Sequence, residues 1–299
     1  MTTETSATMC RAAFFAAALL FAVFSSATAH EFWVEPSAFN PASGARVDVR
    51  LCVGDGFEGW PLARNEQRIE RFAAIGAHTE QRLLGLDGAD PAGVARLATP
   101  GGHILAFESK HSLSTMQAEQ FSAYLKEKGL EQILAQRAQR GETQFPARDA
   151  YTRHAKALIR VGDSREGTAD RTIGLRLELI AEPVRGDAAR AFNLLYQGKP
   201  LADALLTATR LGGADGDLHA RTDKQGRATF ILERAGVWRI GAVHMIEARD
   251  KKIADWESLW ASITFESLEA PTAPKAYSAS IRTNVCRNRT VAPTAKVQP

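Results

Sequence analysis

A histidine that stands first on a processed chain carries two nitrogen donors on one residue, its α-amine and its imidazole Nδ1. His30 is such a residue if the chain is cut after Ala29, where Ala27 and Ala29 form an A-x-A site behind Ser25 and Ser26. The two donors chelate a metal ion with no folding cost to bring them together. An amine with an ordinary pKa of about 8 gives up its proton to a metal at neutral pH. Nitrogen pairs suit Ni, Co, Cu or Zn rather than Mg or Ca.

His244 is the second candidate ligand. It lies in RIGAVHMIEA, where alternation puts Ile240, Ala242 and His244 on one face and Val243 and Met245 on the other. Its plainer reading is a buried imidazole satisfied by backbone or carboxylate partners. Asp255 and Glu257 share a face with Leu259, Ala261, Ile263 and Phe265 near the end of the last strand. They are placed to complete a coordination shell or to orient a ligating histidine, and their plainer reading is solvated turn residues. His154, in YTRHAKAL beside Lys156, is a weaker candidate. No CxxC, HExxH, EF-hand loop or G-x-S-x-G occurs, and the glycines around Gly54 have neither P-loop nor Rossmann spacing. No catalytic residue or organic cofactor is predicted.

The elements that must position these residues are mostly strands. RVDVRLCV (46–53) alternates, with Val47, Val49, Leu51 and Val53 on one face. His103–Phe107, Gly174–Ile180, Ala191–Tyr196, Leu205–Thr209, Ala228–Leu232, Gly236–Met245 and Trp256–Phe265 read as further strands separated by turn signals. Tyr151–Val161 reads as a short helix or strand. Residues 115–140 differ: Met116, Phe121, Tyr124, Leu125, Leu130, Ile133 and Leu134 recur at helical spacing, Ser114 is a candidate cap and Gly129 a break. The expected fold is mainly β: a β-rich N-terminal domain (30–182) with that helical insertion, then an Ig-like β-sandwich (183–270).

The ends of the chain have their own composition. Residues 1–29 read as a cleavable signal peptide, with Arg11 before the apolar run Ala12–Phe24, which is too short for a permanent span. The expected location is therefore periplasmic or secreted, with no stable membrane insertion after cleavage. Residues 271–299 are rich in Pro, Ala, Thr and basic residues and read as a disordered tail. Cys52 and Cys286 are the two cysteines past the peptide, and an oxidising compartment allows a disulfide between them. The net charge of +3 and the lack of a basic stripe argue against nucleic acid as a partner.

From HEFWVEP (30–36) onward the chain resembles the nickel uptake substrate-specific region family, periplasmic components associated with nickel and cobalt transport. LCVGDGFEG (51–59), AEQFSAYLKEKGLE (118–131), YTRHAKALIRVG (151–162), GVWRIGAVHM (236–245) and DWESLWASITFE (255–266) carry the resemblance. It implies an N-terminal domain followed by an Ig-like sandwich, a mature chain starting at His30, and His244 as the second ligand. His154 stands where the family pattern has Tyr.

Three readings follow. The first is a non-enzymatic periplasmic protein that binds a transition metal, Ni or Co before Cu or Zn, and passes it to an inner-membrane transporter. The second is a copper histidine-brace protein built from His30 and His244. The third is a metal-free Ig-like binding module, since sandwiches host many functions.

Overall fold

The computed structural model describes residues 30–56, 58–163, 170–183 and 189–267. The expected signal peptide, the tail after 271 and Cys286 lie outside the described residues. The fold is mainly β. The first strands are β1 (Glu31–Pro36), β2 (Arg46–Asp55), β3 (Glu58–Leu62), β4 (Ile69–Ile75), β5 (Glu80–Arg82), β6 (Gly93–Arg96), β7 (Gly101–Ser109) and β8 (Ser112–Met116). Two helices follow, α1 (Ala118–Glu127) and α2 (Glu131–Gln139), then β9 (Ala147–Val161), β10 (Leu177–Ala181), β11 (Ala189–Tyr196) and β12 (Lys199–Pro200). The chain continues through β13 (Leu205–Arg210), β14 (Leu218–Arg221), β15 (Arg227–Ile231), β16 (Gly236–Glu247) and β17 (Trp256–Ser267).

These strands build three layers. The middle layer is a nine-stranded sheet in the order β14-β13-β16-β17-β9-β7-β4-β5, with β8 also paired to β9. β17 runs parallel to β9 in register from Trp256↔Asp149 to Thr264↔Ala157. Side chains of the middle strands alternate between two cores, as the pleat requires. Phe72, Leu105, Phe107, Ala155, Ala157 and Ile159 face the sheet β1-β2-β3-β6 with its Phe32, Val34, Val47, Val49 and Leu51. Ile104, Leu158, Ile240, Ala242, Leu259, Ala261 and Ile263 face the sheet of β10, β11, β12 and β15 with its Leu177, Leu179, Phe192, Leu194 and Phe230.

The expected boundary at 182–183 falls between β10 and β11, which are antiparallel neighbours in one sheet. β9 and β17, one from each expected half, are likewise neighbours. The two halves therefore share sheets. The segment Tyr151–Val161, read as a short element, belongs to the fifteen-residue strand β9.

The helical segment divides where Gly129 predicts. Gly129 sits at φ +66°, and Leu130 closes the turn by donating to the Leu125 carbonyl. The cap differs from expectation: Ser114 lies in β8, and Gln117 caps α1 in a reciprocal arrangement with Gln120. Phe121, Tyr124, Leu125 and Ile133 pack on Val243, Met245 and Trp256 of the middle sheet. A Cβ at Gly129 would fall 2.6 Å from Leu205 Cβ. Gly129→Ala is expected to cost roughly 1–2 kcal/mol for the left-handed backbone, with that contact adding to it. Urea unfolding of the variant measures the sum. No helix among the described residues is long and apolar enough to cross a membrane.

Candidate metal-binding site at His30

β1 enters the structure at its N-terminal end, and its register with β2 sets the surroundings of His30. Glu31 lies opposite Gly54, so His30 falls beside Asp55 at the end of β2. Gly54 must be glycine here, because a Cβ would meet the Glu58 carbonyl oxygen at 2.0 Å as the β2–β3 hairpin closes. His30 Nδ1 is 2.9 Å from Asp55 Oδ2, and the imidazole meets the Trp60 ring edge-on at 4.9 Å. Both polar side chains keep access to solvent, at 40% and 50% exposure.

The next residue inward is closed off. Glu31 accepts from Lys128 Nζ at 2.6 Å. Burial raises the Glu31 carboxyl, but the cations of Lys128, Arg239 and Arg153 outweigh it and hold the group below the usual carboxylate range. Lys128 also caps this region through the Trp260 ring, 5.4 Å below its ammonium. This ionic clamp ties the helical segment to β1 and fixes the direction in which His30 leaves the fold.

His244 is on the other face of the middle sheet. Glu31 approaches Gly241, where a Cβ would be 3.1 Å from Glu31 Oε2. His244, three residues on, points the opposite way, and its ring packs at 4.6 Å on Tyr196 of β11. Burial lowers its pKa, and the nearby Arg176 cation lowers it further. The structure therefore does not bring His30 and His244 together. Alternation gives the face of His244 correctly, but the sheet that covers that face is β10–β11 and not β1.

The remaining candidates are also separate from His30. Asp255 is engaged by Arg148, whose backbone N–H and guanidinium both donate to it at 2.8 Å. Those hydrogen bonds pull its pKa down against partial burial. Glu257 lies on the His244 face, opposite Ile246, and accepts from His111 Nε2 at 2.9 Å and from Arg176. Burial pushes Glu257 up, but these two partners outweigh it and hold the carboxyl low. His154 is fully buried, with Nε2 3.3 Å from Glu108 Oε1. Among the described residues, no three His, Cys, Asp or Glu side chains are grouped to hold a metal ion.

A site at His30 therefore consists of two side chains plus the main-chain amine that cleavage after Ala29 would free. That set is nitrogen, nitrogen and carboxylate oxygen. Two ligands at right angles on one ion, with bonds of about 2.0–2.1 Å, lie about 2.9 Å apart. The observed separation of His30 Nδ1 and Asp55 Oδ2 is 2.9 Å, which is that of their hydrogen bond and also the spacing of two such ligands. Asp55 was not among the residues singled out from sequence. Its only signal there was its place in LCVGDGFEG, four residues after Leu51.

A family model described as "Domain of unknown function (DUF4198)" matches residues 27–246, which span both His30 and His244. No curated protein matches the chain.

Proposed function

The chain belongs to the DUF4198 family, and on that footing we propose that it is an exported metal-binding protein whose mature N-terminus at His30 takes up a transition metal ion. The ion is cargo, with Ni or Co before Cu or Zn, and the acceptor is an inner-membrane metal transporter. The observation that carries this reading is the 2.9 Å separation of His30 Nδ1 and Asp55 Oδ2 at the end of β1 and β2. The cleavage pattern ending at Ala29 and the resemblance to nickel-uptake proteins support it. The open flank of the pair suits a protein that must release its ion. The copper-brace alternative loses support, because His244, its second histidine, is on the far face of the middle sheet.

Calorimetric titration with Ni, Co, Zn and Cu(II) tests the proposal on the protein that begins at His30, beside the same protein retaining Ala29. The extra residue turns the α-amine into an amide, which is a poor donor, and leaves the imidazole and Asp55 in place. Ni or Co affinity is expected to drop at least tenfold, about 1.4 kcal/mol. In the native form, affinity is expected to climb as pH rises toward about 8, where the amine loses its proton. Equal affinity with and without Ala29 would remove His30 as the site.

A further inference from the structure

A cavity of about 270 Å³ lies where the β1–β2–β3 sheet meets the middle sheet, walled by Phe32, Leu51, Leu62, Phe107, Tyr151 and Arg153. Its lining also carries the polar side chains of Asn65, Arg68, Ser109 and Ser112. The Arg153 guanidinium is held over the Phe32 ring at 4.9 Å and over the Tyr151 ring at 5.4 Å. These contacts engage the charge without taking its N–H donors. Only the Arg153 backbone N–H has a bond, to Ser109 Oγ, and among the described residues no acceptor takes the guanidinium donors. Of the neighbouring cations, Lys128 is paired with Glu31 at 2.6 Å, and Arg68, a second cation in the lining, donates to Ser112 Oγ at 2.6 Å. Glu31 is the carboxylate that Arg153 feels electrostatically, and its oxygen is engaged by that lysine.

We propose that this cavity binds a small organic monocarboxylate, with the carboxylate on the edge of Arg153 and an apolar body against Phe32, Leu51, Leu62 and Phe107. A planar guanidinium with free edge donors matches a carboxylate two bonds at a time. The volume is near the lower end of ligand pockets, which selects a compact acid with a short aliphatic or aromatic body. The site is independent of metal binding at His30.

The test uses the mature chain in the presence of a chelator, with phenylacetate and its neutral analogue 2-phenylethanol as probes, read by ligand-observed NMR and calorimetry. Phenylacetate is expected to bind with a dissociation constant of about 1 mM or tighter. The alcohol and the Arg153→Met variant are each expected to lower affinity at least tenfold. No phenylacetate binding, or equal binding of acid and alcohol, overturns the proposal. So does a folded Arg153→Met protein, judged by an unchanged melting profile, that binds phenylacetate like the parent. The acid–alcohol comparison on the parent protein decides the matter if the variant fails to fold.

Discussion

Replacing Lys156 by Met is expected to destabilise the protein by about 3–5 kcal/mol at pH 7.5, the range for removing one partner of a buried ion pair. Lys156 projects from β9 into the core between the middle sheet and the β10–β11 sheet and is 1% exposed. Its ammonium donates to Asp170 Oδ1 at 2.9 Å, to Glu178 Oε1 at 3.2 Å and to the Arg171 carbonyl at 3.2 Å. Three protons meet three acceptors, and both carboxylates are as buried as the lysine. Glu178 also collects the backbone N–H groups of Ile173, Gly174 and Leu175, while Asp170 collects those of Arg171 and Ala181. This cluster ties the strand β9 to the segment leading into β10. Met keeps the length and apolar character of the stem but leaves two carboxylates without their cation.

The pH dependence of that loss identifies its cause. Burial raises the Asp170 carboxyl, and Lys156 and the backbone N–H donors only partly oppose it. A carboxyl whose folded pKa is raised gives full stability below its unfolded pKa and loses it as pH rises through the folded value. Removing Lys156 takes away an opposing charge and pushes that folded value higher. The deficit of the Met variant should therefore shrink as pH is lowered from 7.5 to 5, because a protonated Asp170 no longer needs the lysine. Urea unfolding at the two pH values measures this. A deficit under about 1 kcal/mol at pH 7.5, or one independent of pH, would mean that the cluster is not held by charge.

How far the sequence reveals this molecule depends on the range of the interaction concerned. Alternating strands are legible: β2 alternates through Val47, Val49 and Leu51, and β16 through Ile240, Ala242 and His244, and the structure keeps those faces. Gly129 announces the break between α1 and α2 because positive φ favours glycine. β9 is hard to read because it lies mid-sheet, covered on both faces, and buries His154 and Lys156 among its alanines, Leu158 and Ile159. For the same reason Lys156, Asp170 and Glu178 pass as ordinary surface charges in the sequence. At the metal site, His30 is legible from processing chemistry alone. Asp55 is not, because it meets His30 only through the Glu31↔Gly54 register across β1 and β2. The expected pairing of His30 with His244 fails on the same ground: periodicity assigns a side chain to a face and says nothing of which layer covers it.

Replacing Asp149 by Asn is expected to stabilise the protein at pH 8 by on the order of 2 kcal/mol and to leave it little changed at pH 4. Asp149 is buried near the start of β9, and burial pushes its pKa from an ordinary 3.8 up to about 7. The hydroxyl and backbone N–H of Ser258 pull the other way, at 2.6 and 3.0 Å, and the Glu257 charge adds to the rise. Unlike Asp170, the group is not held down by a neighbouring cation, so between about pH 4 and pH 7 the native state holds a proton that the unfolded chain has released. Stability in the parent is then complete below about pH 4, declines from there, and reaches its full loss once pH exceeds about 7. Asn has the shape of the protonated acid. Its oxygen can accept from the Ser258 N–H and its NH₂ can donate to Ser258 Oγ, which frees the seryl proton for the buried Tyr124 hydroxyl beside it. The variant thus lacks the titration while keeping the packing of Tyr124 on Trp260, whose rings are stacked at 5.8 Å. Unfolding free energies across pH 4–8 should form a falling curve for the parent and a flatter one for Asp149→Asn. Parallel curves would place the Asp149 proton elsewhere, and a variant less stable than the parent at pH 8 would show that the ionised carboxylate is needed by the Ser258 hydroxyl.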